Sequence, residues 1–229
     1  MGGVFASRLT SRIFQEMRPI QTYLDYTLLR LGATVDEIHQ LCEEAVSVGC
    51  YAVCVPPTYV PGLKERLGDG AVKLCSVVGF PHGMHLSAVK VVEARRLLDC
   101  GADELDMVIN LGRFRSGDFR HTEAEVGGFV QQCQRREAVS KVIIESGLLS
   151  FEEVERFCDI CAEAGADFVK TSTGFAGVGA ELEKVAHMRK VLPDHIQIKA
   201  SGGIRDIDTA KALIEAGATR IGASTLFAE

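Results

Sequence analysis

The chain has 229 residues, a formal net charge of −6 and eight cysteines. That length holds one large core, and no Pro/Ser-rich linker divides it, so a single domain is favoured. The acidic balance and scattered Lys and Arg exclude the basic footprint of a nucleic-acid or anionic-membrane binder, and no apolar run is long enough to span a bilayer.

Residues 1–20 carry Arg8, Arg12 and Arg18 with few acids, faintly like an organelle transit peptide. The reading preferred here is an N-terminal extension that forms an extra helix, with Ile13, Phe14 and Met17 as its apolar stripe. Helical and strand patterns then alternate. A strand at 23–28 precedes a helix at 34–48, whose Thr34 and Glu37 form a capping box. Next come a strand at 51–55, a short helix at 58–67, a strand at 72–78, a helix at 84–98, a strand at 104–109 and a helix at 119–138. Further strands fall at 141–145, 168–172, 197–200 and 220–223, separated by helices at 151–164, 181–191 and 207–216. Gly49, Gly101, Gly165 and Gly217 each end a helix before every second strand. Eight strands in this rhythm predict an α/β fold, a (β/α)8 TIM barrel over residues 21–229. A doubly wound sheet is the alternative, but no GxGxxG follows the first strand.

Active sites of such barrels lie at the C-terminal strand ends, where Asp106, Glu145, Lys170 and Lys199 stand out. Side chains alternate along a strand, so if Val169 faces the helices, Phe168, Lys170 and Ser172 face inward. The same parity puts Ile196 and Ile198 outside, with Gln197 and Lys199 inside. Two neighbouring ammonium groups repel by about 2 kcal/mol at ~8 Å, which together with desolvation would favour a neutral, nucleophilic amine. The competing reading is a structural ion-pair network, in which Asp106 or Glu145 neutralises each lysine.

A second constellation, Lys199-Ala200-Ser201-Gly202-Gly203-Ile204-Arg205 with Gly222-Ala223-Ser224-Thr225, puts glycine-rich turns after the last two strands, the usual phosphate cradle of these barrels. Two other motifs read as packing. Cys158 and Cys161 have CxxC spacing but lie inside a helix, and His82 and His85 have no carboxylate at helical spacing to complete a metal set. No metal site is predicted. The remaining cysteines fall in apolar patterns, which suits reduced thiols in a cytoplasmic protein.

These residues together resemble the deoxyribose-phosphate aldolases, a class I aldolase family. The match runs through Leu24-Asp25-Tyr26-Thr27-Leu28-Leu29, Val78-Gly79-Phe80-Pro81-His82-Gly83, Asp103-Glu104-Leu105-Asp106-Met107-Val108-Ile109-Asn110 and Phe168-Val169-Lys170-Thr171-Ser172-Thr173-Gly174, then through the Lys199 to Arg205 turn. The resemblance implies reversible cleavage of 2-deoxy-D-ribose 5-phosphate to D-glyceraldehyde 3-phosphate and acetaldehyde, with no metal or organic cofactor. It implies Lys170 as the Schiff-base lysine, Lys199 as its pKa-lowering neighbour and Asp106 as the proton-shuttling carboxylate. Gly174, Gly202, Gly203, Arg205, Gly222, Ser224 and Thr225 would hold the phosphate, and Asp25, Thr27 and Thr173 would touch substrate hydroxyls or waters. The implied partner is a small phosphosugar, with a homodimer as the expected assembly. Alternatives are another phosphosugar aldolase or isomerase, or a non-catalytic phosphosugar-binding barrel. The chain departs from the family pattern at Tyr26, Arg113, Phe114 and Phe175, and it stops at Glu229, so the last helix and the family's C-terminal tail are expected to be short or missing.

Overall fold

A computed structural model describes residues 18–68 and 70–225. The expected helix of the N-terminal extension therefore lies almost wholly outside the described residues. Eight parallel strands close into a barrel in sequence order, with the eighth pairing the first. They are β1 (Leu24–Thr27), β2 (Ala52–Val55), β3 (Lys73–Val78), β4 (Glu104–Val108), β5 (Val139–Ile143), β6 (Phe168–Lys170), β7 (Gln197–Ser201) and β8 (Arg220–Ala223). The helices among the described residues are α1 (Val35–Val48), α2 (Leu63–Leu67), α3 (Ser87–Asp99), α4 (Leu111–Arg115), α5 (Phe119–Gln134), α6 (Phe151–Ala164), α7 (Leu182–Val191) and α8 (Ile207–Glu215). No helix follows β8 among the described residues.

Local chemistry explains most boundaries. Thr34 and Glu37 make the capping box that starts α1, each satisfying a backbone N–H of the other. Gly49, Gly101, Gly165 and Gly217 all take positive φ, the freedom a sharp helix-to-strand turn needs.

Four expectations shift. The helix at 58–67 splits into a 3-10 turn, Pro57–Tyr59, and α2, because Pro61 lacks an N–H and Gly62 turns left-handed at φ 80°. The strand at 141–145 begins two residues earlier and ends at Ile143, while that at 168–172 ends at Lys170. The helix at 119–138 stops at Gln134, and α4, capped by the Asn110 side chain accepting from the Arg113 N–H, was not foreseen before it.

Burial follows strand parity. Val53, Leu74, Leu105, Met107, Val142, Val169, Ile198 and Ile221 join one continuous core between strands and helices. Phe157 of α6 stacks on Phe114 of α4 at 3.8 Å between ring centroids, which fixes the short helix against the long one. Inward positions carry a small apolar patch, Ala52, Cys54, Cys75 and Val77, on the β2–β3 side. Charged side chains gather across the barrel from this patch.

One buried ion pair lies outside the barrel. Lys90 of α3 donates to Glu125 of α5 at 2.8 Å and to the Val108 carbonyl at 2.7 Å, and Glu125 also accepts from the Asn110 N–H. Both side chains are 1% exposed, so this pair clamps the end of β4 from behind. Replacing Lys90 with methionine should cost roughly 3 kcal/mol, because Glu125 is left charged and buried. Adding Glu125→Gln should recover part of that loss; urea denaturation of the two variants measures both values.

Candidate functional site

Seven ionisable side chains meet inside the barrel. β1 brings Asp25, β4 brings Glu104 and Asp106, β5 brings Lys141, β6 brings Lys170, β7 brings Lys199 and β8 brings Arg220. All are at most 3% exposed. Period-two alternation aims them at one another, since Leu105, Val142, Val169, Ile198 and Ile221 beside them face the helices.

Asp106 is the hub. Its Oδ2 accepts from Lys170 at 2.7 Å and from Lys199 at 2.8 Å, and its Oδ1 accepts from Lys141 at 2.9 Å and from the Cys75 thiol at 3.2 Å. Lys141 also lies 2.6 Å from Glu104. Lys199 donates to Asp25 as well, and Arg220 bridges Asp25 and Glu104 at 2.8 and 2.9 Å. The tally is four cations against three carboxylates. Lys170 is the cation with a single carboxylate partner, and it alone of the four lines the pocket above.

Electrostatics hold Asp106, Asp25, Lys141 and Lys199 ionised. Burial acts to raise the Asp106 carboxyl, but Lys141, Lys170 and Lys199 outweigh it and keep it well below the usual range. Asp25 is likewise brought down to about 2, burial being overcome by Lys199, Arg220 and Lys141. Burial pushes Lys141 and Lys199 toward the neutral amine, and the carboxylates reverse this, so both ammonium groups titrate above the ordinary lysine value. Lys199 is thus a firmly charged group. Lys199 and Lys170 both donate to the same Asp106 oxygen.

The carboxylates also set acid stability. A carboxyl whose folded pKa lies below its unfolded value stabilises the fold above that unfolded value, and the contribution fades as pH falls through the folded one. For Asp25 the window runs from 3.8 down to about 2, with roughly 2 kcal/mol at stake. The melting temperature should stay flat from pH 7 to about 5, then drop steeply below about 4; a gradual fall from pH 7 would contradict the assignment.

Above Lys170 lies a pocket of about 280 Å³. Thr27 and Thr173 line it, as do Gly174, Gly202, Gly203, Arg205, Gly222 and Ser224. Close backbone packing builds the glycine turns. A Cβ on Gly222 would stand 2.9 Å from the Ser201 Cβ, and one on Gly179 would stand 2.1 Å from the Gly202 carbonyl oxygen. The Ala180 N–H donates to that same oxygen, so the loop after β6 braces the turn after β7. The Thr173 N–H donates to Glu145.

Several residues stand elsewhere than the sequence suggested. Asp25 is fully buried beneath the pocket, bonded to Lys199 and Arg220, and cannot meet a substrate there without movement. Thr225 is exposed and off the pocket wall. Glu145 neutralises no lysine: it lies past the end of β5 in the left-handed region at φ 52°. Lys141, Glu104, Arg220 and Cys75, which β5, β4, β8 and β3 also bring into this cluster, were missed. Arg30, also missed, lines the pocket from the segment after β1.

Proximity groups Cys54, Cys75 and Asp106, and also Asp25, Cys75 and Glu104, as conceivable metal sites. Ammonium or guanidinium groups already occupy every carboxylate in both sets, which opposes a cation. His82 and His85 join no such group among the described residues. Cys158 and Cys161 are buried in α6, and burial pushes the Cys158 thiol up to about 12, so both act in packing.

The chain matches the model of the DeoC/LacD family aldolases over residues 17–228. It is 48% identical over 208 residues to the deoxyribose-phosphate aldolase of Thermococcus gammatolerans, covering 90% of this chain and 92% of that protein. Among solved structures, the aldolase QR15 superposes with a TM-score of 0.86 at 41% identity, covering 91% of this chain and 92% of its own. The tetrameric deoxyribose phosphate aldolase of Aeropyrum pernix gives 0.82 at 38%, covering 90% and 86%.

Proposed function

This chain belongs to the DeoC/LacD aldolase family, and on that footing we propose that it reversibly cleaves 2-deoxy-D-ribose 5-phosphate to D-glyceraldehyde 3-phosphate and acetaldehyde through an imine on Lys170. One observation carries the assignment of the lysine. The cluster holds one cation more than its carboxylates balance, and Lys170 is the cation that has a single partner and borders the pocket. Loss of its proton leaves three cations on three carboxylates, a neutral interior, and frees the amine as a nucleophile.

The chemistry follows from that proton. Neutral Lys170 adds to C1 of the open-chain sugar, and the carbinolamine loses water to give an iminium. Asp106, still anionic, faces that new positive charge. A base takes the C3 hydroxyl proton, with Asp106 and an ordered water as the relay. The C3 oxygen forms the carbonyl of glyceraldehyde 3-phosphate, the C2–C3 pair moves onto C2, and the iminium becomes an enamine. Protonation at C2 and hydrolysis release acetaldehyde and restore the amine. Lys199 and Lys141, held charged, orient Asp106 and favour its return to the carboxylate once the relayed proton has passed to C2 of the enamine.

The phosphate would lie in the glycine-rich wall of Gly174, Gly202, Gly203 and Gly222, with Ser224 and Arg205 at its edge. Thr27 and Thr173 line the same pocket as Lys170, and there they would meet sugar hydroxyls or waters. No helix of the described residues is long and apolar enough to cross a membrane. Unpaired cysteines suit the cytoplasm, and self-association, to a dimer or higher, fits the tetrameric relative.

The test is a coupled assay of glyceraldehyde 3-phosphate release, run beside reduction with borohydride in the presence of acetaldehyde. Active protein should gain one ethyl group on Lys170. Activity without any trapped adduct would sink the imine mechanism, and absence of turnover on this sugar would sink the substrate.

A further inference from the structure

The pocket over Lys170 has cations on two flanks and no carboxylate among its lining residues. Arg205 enters from the turn after β7. Arg30 enters from the segment after β1, and β1 pairs with β8, so it stands beside the strand whose end carries Gly222 and Ser224. In this structure the Arg30 guanidinium pairs with Glu37, which is not among the pocket's lining residues. Glu37 is itself anchored, since its other oxygen accepts from the Thr34 N–H and hydroxyl at 2.8 and 3.0 Å. Arg30 is therefore tethered at the pocket's rim by an acid that cannot follow it inward.

We propose that Arg30 is a specificity-determining residue, which leaves Glu37 and closes on the substrate's phosphate from the β1 side when the sugar phosphate binds. Charge accounting supports this. A phosphomonoester carries about −1.5 to −2 at neutral pH, more than one guanidinium balances. Arg205 is also followed directly by Asp206, whose carboxyl accepts from the Thr209 N–H and stays below the usual carboxylate range, and this weakens the field the cradle offers an anion. The Arg30–Glu37 pair is 53% and 41% exposed. Such a pair is weakly bound in water, and a phosphate with three acceptor oxygens competes well for a planar guanidinium. Phe175, which also lines the pocket, supplies no charge.

The proposal rests on the reading that the substrate is a phosphate ester, and the test separates the two. Steady-state kinetics are measured with 2-deoxyribose 5-phosphate and with 2-deoxyribose, for the unaltered protein and for Arg30→Met and Arg30→Lys, with inorganic phosphate as a competitive inhibitor. The ratio of kcat/KM for the phosphorylated over the plain sugar should fall about tenfold in Arg30→Met, mainly through KM, and recover in part in Arg30→Lys. Phosphate inhibition should weaken in parallel. An unchanged ratio beside a strong preference in the unaltered protein overturns the role of Arg30 and leaves the phosphate pocket standing. An equal loss on both sugars overturns it too, by marking a structural role. No preference for the phosphorylated sugar in the unaltered protein overturns both readings.

Discussion

Lys170→Met should abolish aldol cleavage, by at least about 10⁴-fold, while leaving the protein as stable as before or slightly more so. The loss follows from removing the only amine that both touches Asp106 and borders the pocket. The unchanged stability is the sharper half of the expectation. Methionine keeps the unbranched stem, and Asp106 keeps Lys141 and Lys199 as donors. The interior is left with three cations on three carboxylates. Initial rates and thermal melting decide the matter: a variant that melts many degrees lower would mean that Lys170 is part of the scaffold, and a variant that retains turnover would remove it from the chemistry.

Asp106→Asn should fail in the opposite manner, losing both activity and stability. Asparagine fits the space, but four cations would then face two carboxylates, and its amide nitrogen would point a donor at groups that are themselves donors. Removing one partner from a buried charged network costs roughly 3–5 kcal/mol. The same change strips the iminium of its facing anion. Denaturant titration reads the first effect, and single-turnover trapping with borohydride reads the second. An Asp106→Asn protein that is as stable as its parent would refute the hub role of this carboxylate. Trapping at the parent's rate would refute its part in the reaction.

How far the sequence carried this picture can be traced residue by residue. The barrel was legible because its period is encoded twice, in the alternation of helices with strands and in the glycines that turn every second helix into a strand. The inward aim of Lys170 and Lys199 was legible from parity alone. Lys141 was not, because the strand holding it was placed two residues too far along, and there it read as a strand's first residue and not as an interior one. Arg220 opens its strand, where a cation normally escapes to water; only closure of β8 onto β1 turns it toward Asp25. Asp25 was given a substrate-facing role by the family resemblance, and a short strand did not reveal its depth. Arg30 sits in a segment without periodicity, so nothing local marked it as pocket lining.

The wiring of the charged interior also dictates when the molecule can be finished. Asp25 lies in the first strand, and its partners Lys199 and Arg220 arrive 174 and 195 residues later. A nascent chain emerging from the ribosome would hold this acid without either partner until the seventh and eighth strands of the barrel have been made. Half barrels that bury Asp25 early leave a charge uncompensated, which makes premature closure unfavourable. The same groups that serve chemistry in the finished protein thereby act as a checkpoint on synthesis, admitting a sealed interior when the seventh and eighth strands have come into place.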